Sequence, residues 1–148
     1  MCLINIFHIH YNEVIYLKKV VIDAGHGGKD PGHLSTYAGF ATEKELNLKI
    51  TQFLGGYIEK YLQNVKVIYT RKDDTYLSLD DRVQIANRYN ADYFISVHCN
   101  GNDNPKVKGT ETHVHSFEYK KSYQLAREIE SQFKGRAGRT SRGVKETK

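Results

Sequence analysis

A chain of 148 residues with 39% hydrophobic content and a mean hydropathy of −0.60 suits one globular domain. Its net charge of +5 is local, because residues 134–148 hold six basic groups and one acidic group, and the rest is neutral. That distribution excludes a basic nucleic-acid reader in the globular part and makes residues 134–148 a solvated tail in preference to a nucleic-acid arm, with attraction to anionic polymers a third reading; two cysteines build no disulfide framework.

Residues 1–17 are apolar but interrupted by His8, His10, Asn12 and Glu13. They lack the basic start and cleavage site of a signal peptide and are too short and polar to span a membrane. They read as an N-terminal extension, either an extra edge strand or sequence foreign to a domain of residues 18–148. Cys2 stands too near the start for a lipoprotein cleavage site. The run Lys19-Val20-Val21-Ile22 suits a buried strand. It breaks into a turn containing Gly25, His26, Gly27, Gly28 and Gly32. Glycine gives such a turn backbone freedom, and the carboxyl edge of a parallel sheet is where α/β proteins place ligands. His26 there is a metal ligand or a general base. The turn is no phosphate cradle, since it has neither G-x-G-x-x-G nor a Walker-type lysine.

Thr42 followed by Glu45 is a capping box, opening a helix over 43–62 with Glu43 in its first turn. Leu46, Ile50, Phe53, Tyr57, Ile58 and Tyr61 form its expected core face. Gly55-Gly56 weakens it by about 1 kcal/mol per glycine, and a bend is expected there. A strand follows over 65–70, then a helix over 79–89 capped by Ser78, and a strand over 92–98 ending at His98. After a polar loop over 100–108, residues 109–115 read as a strand. Residues 117–133 read as a helix, with Tyr119, Tyr123, Ala126, Ile129 and Phe133 on one face. Residues 135–143 are biased enough to be mobile. The alternation predicts an α/β fold, a three-layer sandwich around a largely parallel mixed sheet shared by the four strands.

Parallel neighbouring strands bring His26 and His98 to one sheet edge, beside Glu43. Two imidazoles, one carboxylate and an open fourth position make the usual catalytic zinc arrangement, although an acidic residue in a first helical turn also simply opposes the helix dipole. Asp23 is either an acceptor that orients a ligand histidine or a strand-end cap. Arg71 and Arg82 are expected to pair structurally with Asp74, Asp80, Asp81 or Asp92, in preference to binding a substrate carboxylate. Asn100 contacts substrate or holds the loop after His98. Cys99 points away from its neighbour as a buried spectator. His113 and His115, two apart on a strand, are a rival metal pair without a third ligand. Glu111 shares their face.

The pieces Ile22-Asp23-Ala24-Gly25-His26-Gly27-Gly28, Asp30-Pro31-Gly32, Glu43-Lys44, Thr70-Arg71, Arg82, Ala86-Asn87, Ala91-Asp92, Ser96-Val97-His98-Cys99-Asn100 and Gly109-Thr110-Glu111-Thr112 occur in this order. In them the chain resembles the zinc-dependent N-acetylmuramoyl-L-alanine amidases of the amidase-3 type, from about residue 19 to 145. The resemblance implies zinc bound by His26, Glu43 and His98. It also implies peptidoglycan or muropeptide as partner, cleaved at the amide between the lactyl group of N-acetylmuramic acid and L-alanine. The family continues past the region resembling 141–145 with its last strands, a helix and a general-base glutamate. Glu146 lies too early for that role and the sequence stops at Lys148. The expectation is therefore a fold without its last strands, with Glu111 the remaining proton-carrier candidate. An uncovered sheet edge would then invite self-association. Two other readings stay open, a non-catalytic wall-binding remnant and a zinc peptidase acting on wall peptides.

Overall fold

The structure is a computed structural model describing residues 17–34, 39, 41–102, 104 and 106–147. Of the expected N-terminal extension only Leu17 falls within the described residues, and Cys2 and Pro105 lie outside them. The chain divides into two compact units, the first ending at Gly101 and the second starting at Asn102.

In the first unit, β1 (Lys18–Ala24), α1 (Glu43–Tyr61), β2 (Val65–Tyr69), α2 (Leu79–Arg88) and β3 (Tyr93–Val97) alternate. The strands form a parallel sheet in the order β2-β1-β3. β1 is central and buried from Val20 to Ala24, as a strand covered on both faces should be. Ile22 pairs with Tyr69 on one side and Ile95 on the other. Val20, Ile22 and Val67 form the core, with Leu54, Ile58, Val65, Tyr69 and Ile95 packed against it.

α1 begins as expected, with the Glu45 carboxylate accepting from the Thr42 N–H at 2.7 Å and its hydroxyl at 2.9 Å. It is continuous through Gly55-Gly56. The face it buries is different from the one expected. Glu43, Asn47, Thr51 and Gly55 are buried, whereas Leu46, Ile50, Phe53, Tyr57 and Tyr61 are 39–70% exposed. The helix's rotation is set by its contacts at both ends rather than by its apolar count. Glu43 is turned toward the histidines, and Gly55 leaves the space filled by the Tyr69 hydroxyl, which a Cβ would overlap. α2 is capped by Ser78, whose Oγ accepts from the Asp81 N–H at 3.1 Å.

In the second unit, β4 (Thr110–Val114), α3 (Lys120–Gly135) and β5 (Ser141–Glu146) form a parallel two-stranded βαβ unit. Two expectations fail here. β4 pairs with β5 in a sheet of its own instead of joining the other three strands. Residues 134–148, read as a solvated tail with 135–143 mobile, contain that partner strand and the end of α3. Only Val144 in β5 is strongly apolar, so the strand is held by backbone pairing and polar contacts. Buried Glu130 of α3 gathers the hydroxyls of Thr110, Thr112 and Ser141 at 3.2, 2.8 and 2.6 Å. No helix of the described residues is long and apolar enough to cross a membrane.

Candidate metal centre

The turn after β1 departs from ordinary backbone geometry. His26 sits at φ 63°, in the left-handed region, followed by Gly27 at 133° and Gly28 at 55°. Such a conformation costs a non-glycine residue energy and persists only where its surroundings enforce it. Two buried arginines supply that enforcement. Arg71 donates to the carbonyls of Ala24, Gly25 and Lys44, each at 2.9 Å. Arg82 donates to those of Ala24 at 2.9 Å and His26 at 3.0 Å, and pairs with Asp23 at 2.5 Å. A turn that leaves its own carbonyls unpaired needs such donors. The arginines are thus structural, as expected, but their partners are carbonyls and Asp23 rather than Asp74, Asp80, Asp81 or Asp92.

His26, Glu43 and His98 meet at the end of the sheet, their ligand-type atoms within 4.8 Å of one another. Glu43 Oε1 lies 3.2 Å from His26 Nε2 and 3.1 Å from His98 Nδ1, and the two rings meet edge to face with centroids 4.8 Å apart. Two backbone donors aim the carboxylate, the Cys99 N–H to Oε1 at 3.1 Å and the His33 N–H to Oε2 at 2.9 Å. Burial pushes the Glu43 carboxyl up, but the His33 N–H, the charge of His26 and the bond to His98 outweigh it and hold the pKa below its ordinary value. The carboxylate stays charged, as a ligand must.

Glycine is obligatory at two approaches. A Cβ on Gly25 would lie 2.7 Å from His98 Nδ1 and nearer still to Cε1 and Nε2. On Gly32, at φ +65°, it would lie 2.6 Å from His26 Cδ2 and 2.9 Å from Glu43 Oε2. Donor chemistry, convergence and these cleared approaches fit a zinc ion. His98 is 43% exposed at its side chain and His26 23%, so the cluster opens to solvent.

Sequence reasoning missed Asp30. Its Oδ2 lies 2.8 Å from His26 Nδ1, and the bond to His26, followed by the Gly32 N–H, lowers its carboxyl pKa. The only sequence signal is its place in Asp30-Pro31-Gly32. Asp23, considered for that orienting role, instead holds Thr70 Oγ1 at 2.7 Å, Ser96 Oγ at 2.6 Å and Arg82. Asn100 is exposed in the loop beyond His98. Cys99 is partly buried, and burial pushes its thiol pKa up, helped by the charge of Glu43; its backbone N–H is the part that serves the site.

The rival histidines are in the second unit. His113 has both ring nitrogens engaged, by Thr147 Oγ1 at 2.6 Å and Glu111 Oε1 at 3.1 Å, and His115 packs beside Tyr119. Among the described residues the one metal-capable cluster is that of His26, Glu43 and His98. Glu111 is bound by Lys145 at 2.6 Å, His113 and Arg142, and Lys145 first, then His113, hold its pKa at about 2. A carboxylate held there accepts protons weakly near neutral pH.

The first unit is a parallel α/β unit that gathers, at its strand ends, a histidine–glutamate–histidine cluster able to hold a metal ion. The chain belongs to the Amidase_3 family, described as N-acetylmuramoyl-L-alanine amidase, which residues 20–148 match. It is 35% identical over 136 residues to the uncharacterized protein YqiI of Bacillus subtilis, covering 91% of this chain and 63% of that one. It is 32% identical over 127 residues to the N-acetylmuramoyl-L-alanine amidase LytC of Bacillus subtilis, covering 85% and 25%. Among solved structures, the N-acetylmuramoyl-L-alanine amidase of Clostridium difficile 630 superposes with a TM-score of 0.82 at 33% identity, over 89% of this chain and 70% of that one. The chain spans less than two thirds of either curated relative's length.

Proposed function

We propose that residues 18–148 belong to a peptidoglycan hydrolase that cleaves the amide between N-acetylmuramic acid and L-alanine, with zinc held by His26, Glu43 and His98. The observation carrying this reading is the convergence of those three side chains, within 4.8 Å, in a member of the amidase family. Zinc held there supplies Lewis acidity toward an amide carbonyl and a water, at a site that keeps an open position. The chain's own residues hold the geometry. Glu43 is aimed by two backbone N–H groups, His26 is turned by Asp30, and Arg71 and Arg82 clamp the carbonyls beneath them. Solvent access at His98 lets a polymeric substrate reach the cluster.

The test is hydrolysis of purified muropeptides by the zinc-loaded protein, read as new peptide amino termini at L-alanine. Release of such peptides, lost on chelation or in His98→Ala and restored to the wild type by zinc, supports the reading. Binding without cleavage, or release of a carboxyl-terminal residue instead, overturns it.

A further inference from the structure

We propose that Asp30 is a positioning residue that fixes His26 as its Nδ1–H tautomer and so commits Nε2 to the metal. In histidine ligands, the hydrogen bond at one ring nitrogen decides which nitrogen binds metal. Here Nδ1 lies 2.8 Å from Asp30 Oδ2, while Nε2 faces Glu43 Oε1 at 3.2 Å. Both facing carboxylates only accept, but the hydrogen bond is the shorter contact to Asp30, and Glu43 makes only a longer ion-pair contact. The single proton of the neutral ring therefore belongs on Nδ1, and the Nε2 lone pair faces the cluster.

Asp30 is itself held. Its Oδ1 accepts from the Gly32 N–H at 3.1 Å, and its backbone exchanges two hydrogen bonds with Gly27, at 2.9 and 3.1 Å. The same strap reaches the second ligand. The Pro31 and His33 carbonyls accept the N–H groups of Lys44 and Glu43 at 3.2 and 3.1 Å, and the His33 N–H binds the Glu43 carboxylate. Residues 30–33 therefore couple the orientation of His26 to that of Glu43. Asp23 is occupied by Thr70, Ser96 and Arg82 and does not compete for His26.

The inference rests on the zinc reading above, but its first test does not. In metal-free protein labelled with 15N-histidine, at alkaline pH where the ring is neutral, His26 should carry its proton on Nδ1. In Asp30→Ala, Nε2–H should become the dominant form. Asp30→Asn, which keeps the shape and a weaker neutral acceptor, should fall between and guards against a misfolded alanine variant. In chelator competition, Asp30→Ala should weaken zinc binding about 10–100-fold, with the metal-free melting temperature little changed. An Nε2–H tautomer in the wild type, or an Asp30→Ala protein with wild-type tautomer and zinc affinity, overturns the proposal. If the wild type binds no zinc but shows the Asp30-dependent tautomer, the zinc reading fails and the positioning role stands.

Discussion

Replacing Gly25 by alanine adds one methyl group where the His98 ring lies. The new Cβ would fall 2.7 Å from Nδ1 and closer to two other ring atoms. Ordinary carbon contacts need ~3.5–4.0 Å, so the ring must retreat by about 1 Å. Zinc–ligand distances tolerate only about 0.2 Å, so the displaced ring ceases to be a ligand. Losing an orienting neighbour costs about 10–100-fold in metal affinity, and losing a ligand should exceed that upper end. The fold should suffer much less. Overpacking typically costs about 1–3 kcal/mol, and His98, 43% exposed, can swing into solvent, which points to the lower end. Chelator competition gives the affinity, and urea unfolding of the metal-free protein gives the stability. In a His98→Ala background, Gly25→Ala should lose its stability cost, because the obstructing ring is gone. A folded Gly25→Ala protein with wild-type zinc affinity would refute the reasoning.

Phe53→Ser should change stability by less than about 0.5 kcal/mol, the usual range for a surface site, because Phe53 is 70% exposed; urea unfolding showing the several kcal/mol of a core truncation would restore the face read from the sequence. For Glu111→Gln the prediction concerns pH. The folded pKa is depressed from 4.5 to about 2, so the wild type's advantage is present above pH 4.5 and disappears as pH falls through 2. Unfolding midpoints of the two proteins in a pH series should therefore converge toward acid; a gap that stays constant down to pH 2 contradicts the ion-pair account.

Strands β1 to β4 and the two histidines of the cluster were legible because each announces itself locally. Glu43 as their partner leaned on the resemblance, its place in a first helical turn being explained as well by the helix dipole. Ile22 and Val97 end apolar runs, Thr42 and Glu45 mark a helix start, and histidines at strand ends have little structural reason to be there. The rotation of α1 was not legible. Its apolar stripe points to one buried face, but the closeness of Gly55 to Tyr69 and the orientation of Glu43 are tertiary facts that override the pattern. β5 escaped notice because Ser141-Arg142-Gly143-Val144-Lys145-Glu146 lacks an apolar period, and its stability comes from β4 and from the hydroxyls around Glu130. Asp30 was hidden by the turn itself. Only the left-handed conformation at His26 and Gly28 folds the chain back so that a carboxylate four residues on meets the ring.

The most direct test of the account is diffraction from zinc-soaked crystals recorded on both sides of the zinc absorption edge. The account predicts one anomalous peak at about 2.0–2.2 Å from His26 Nε2, the Glu43 carboxylate and His98 Nδ1. A fully folded protein in which zinc is absent from that cluster, or is held by His113 and His115 instead, would contradict it.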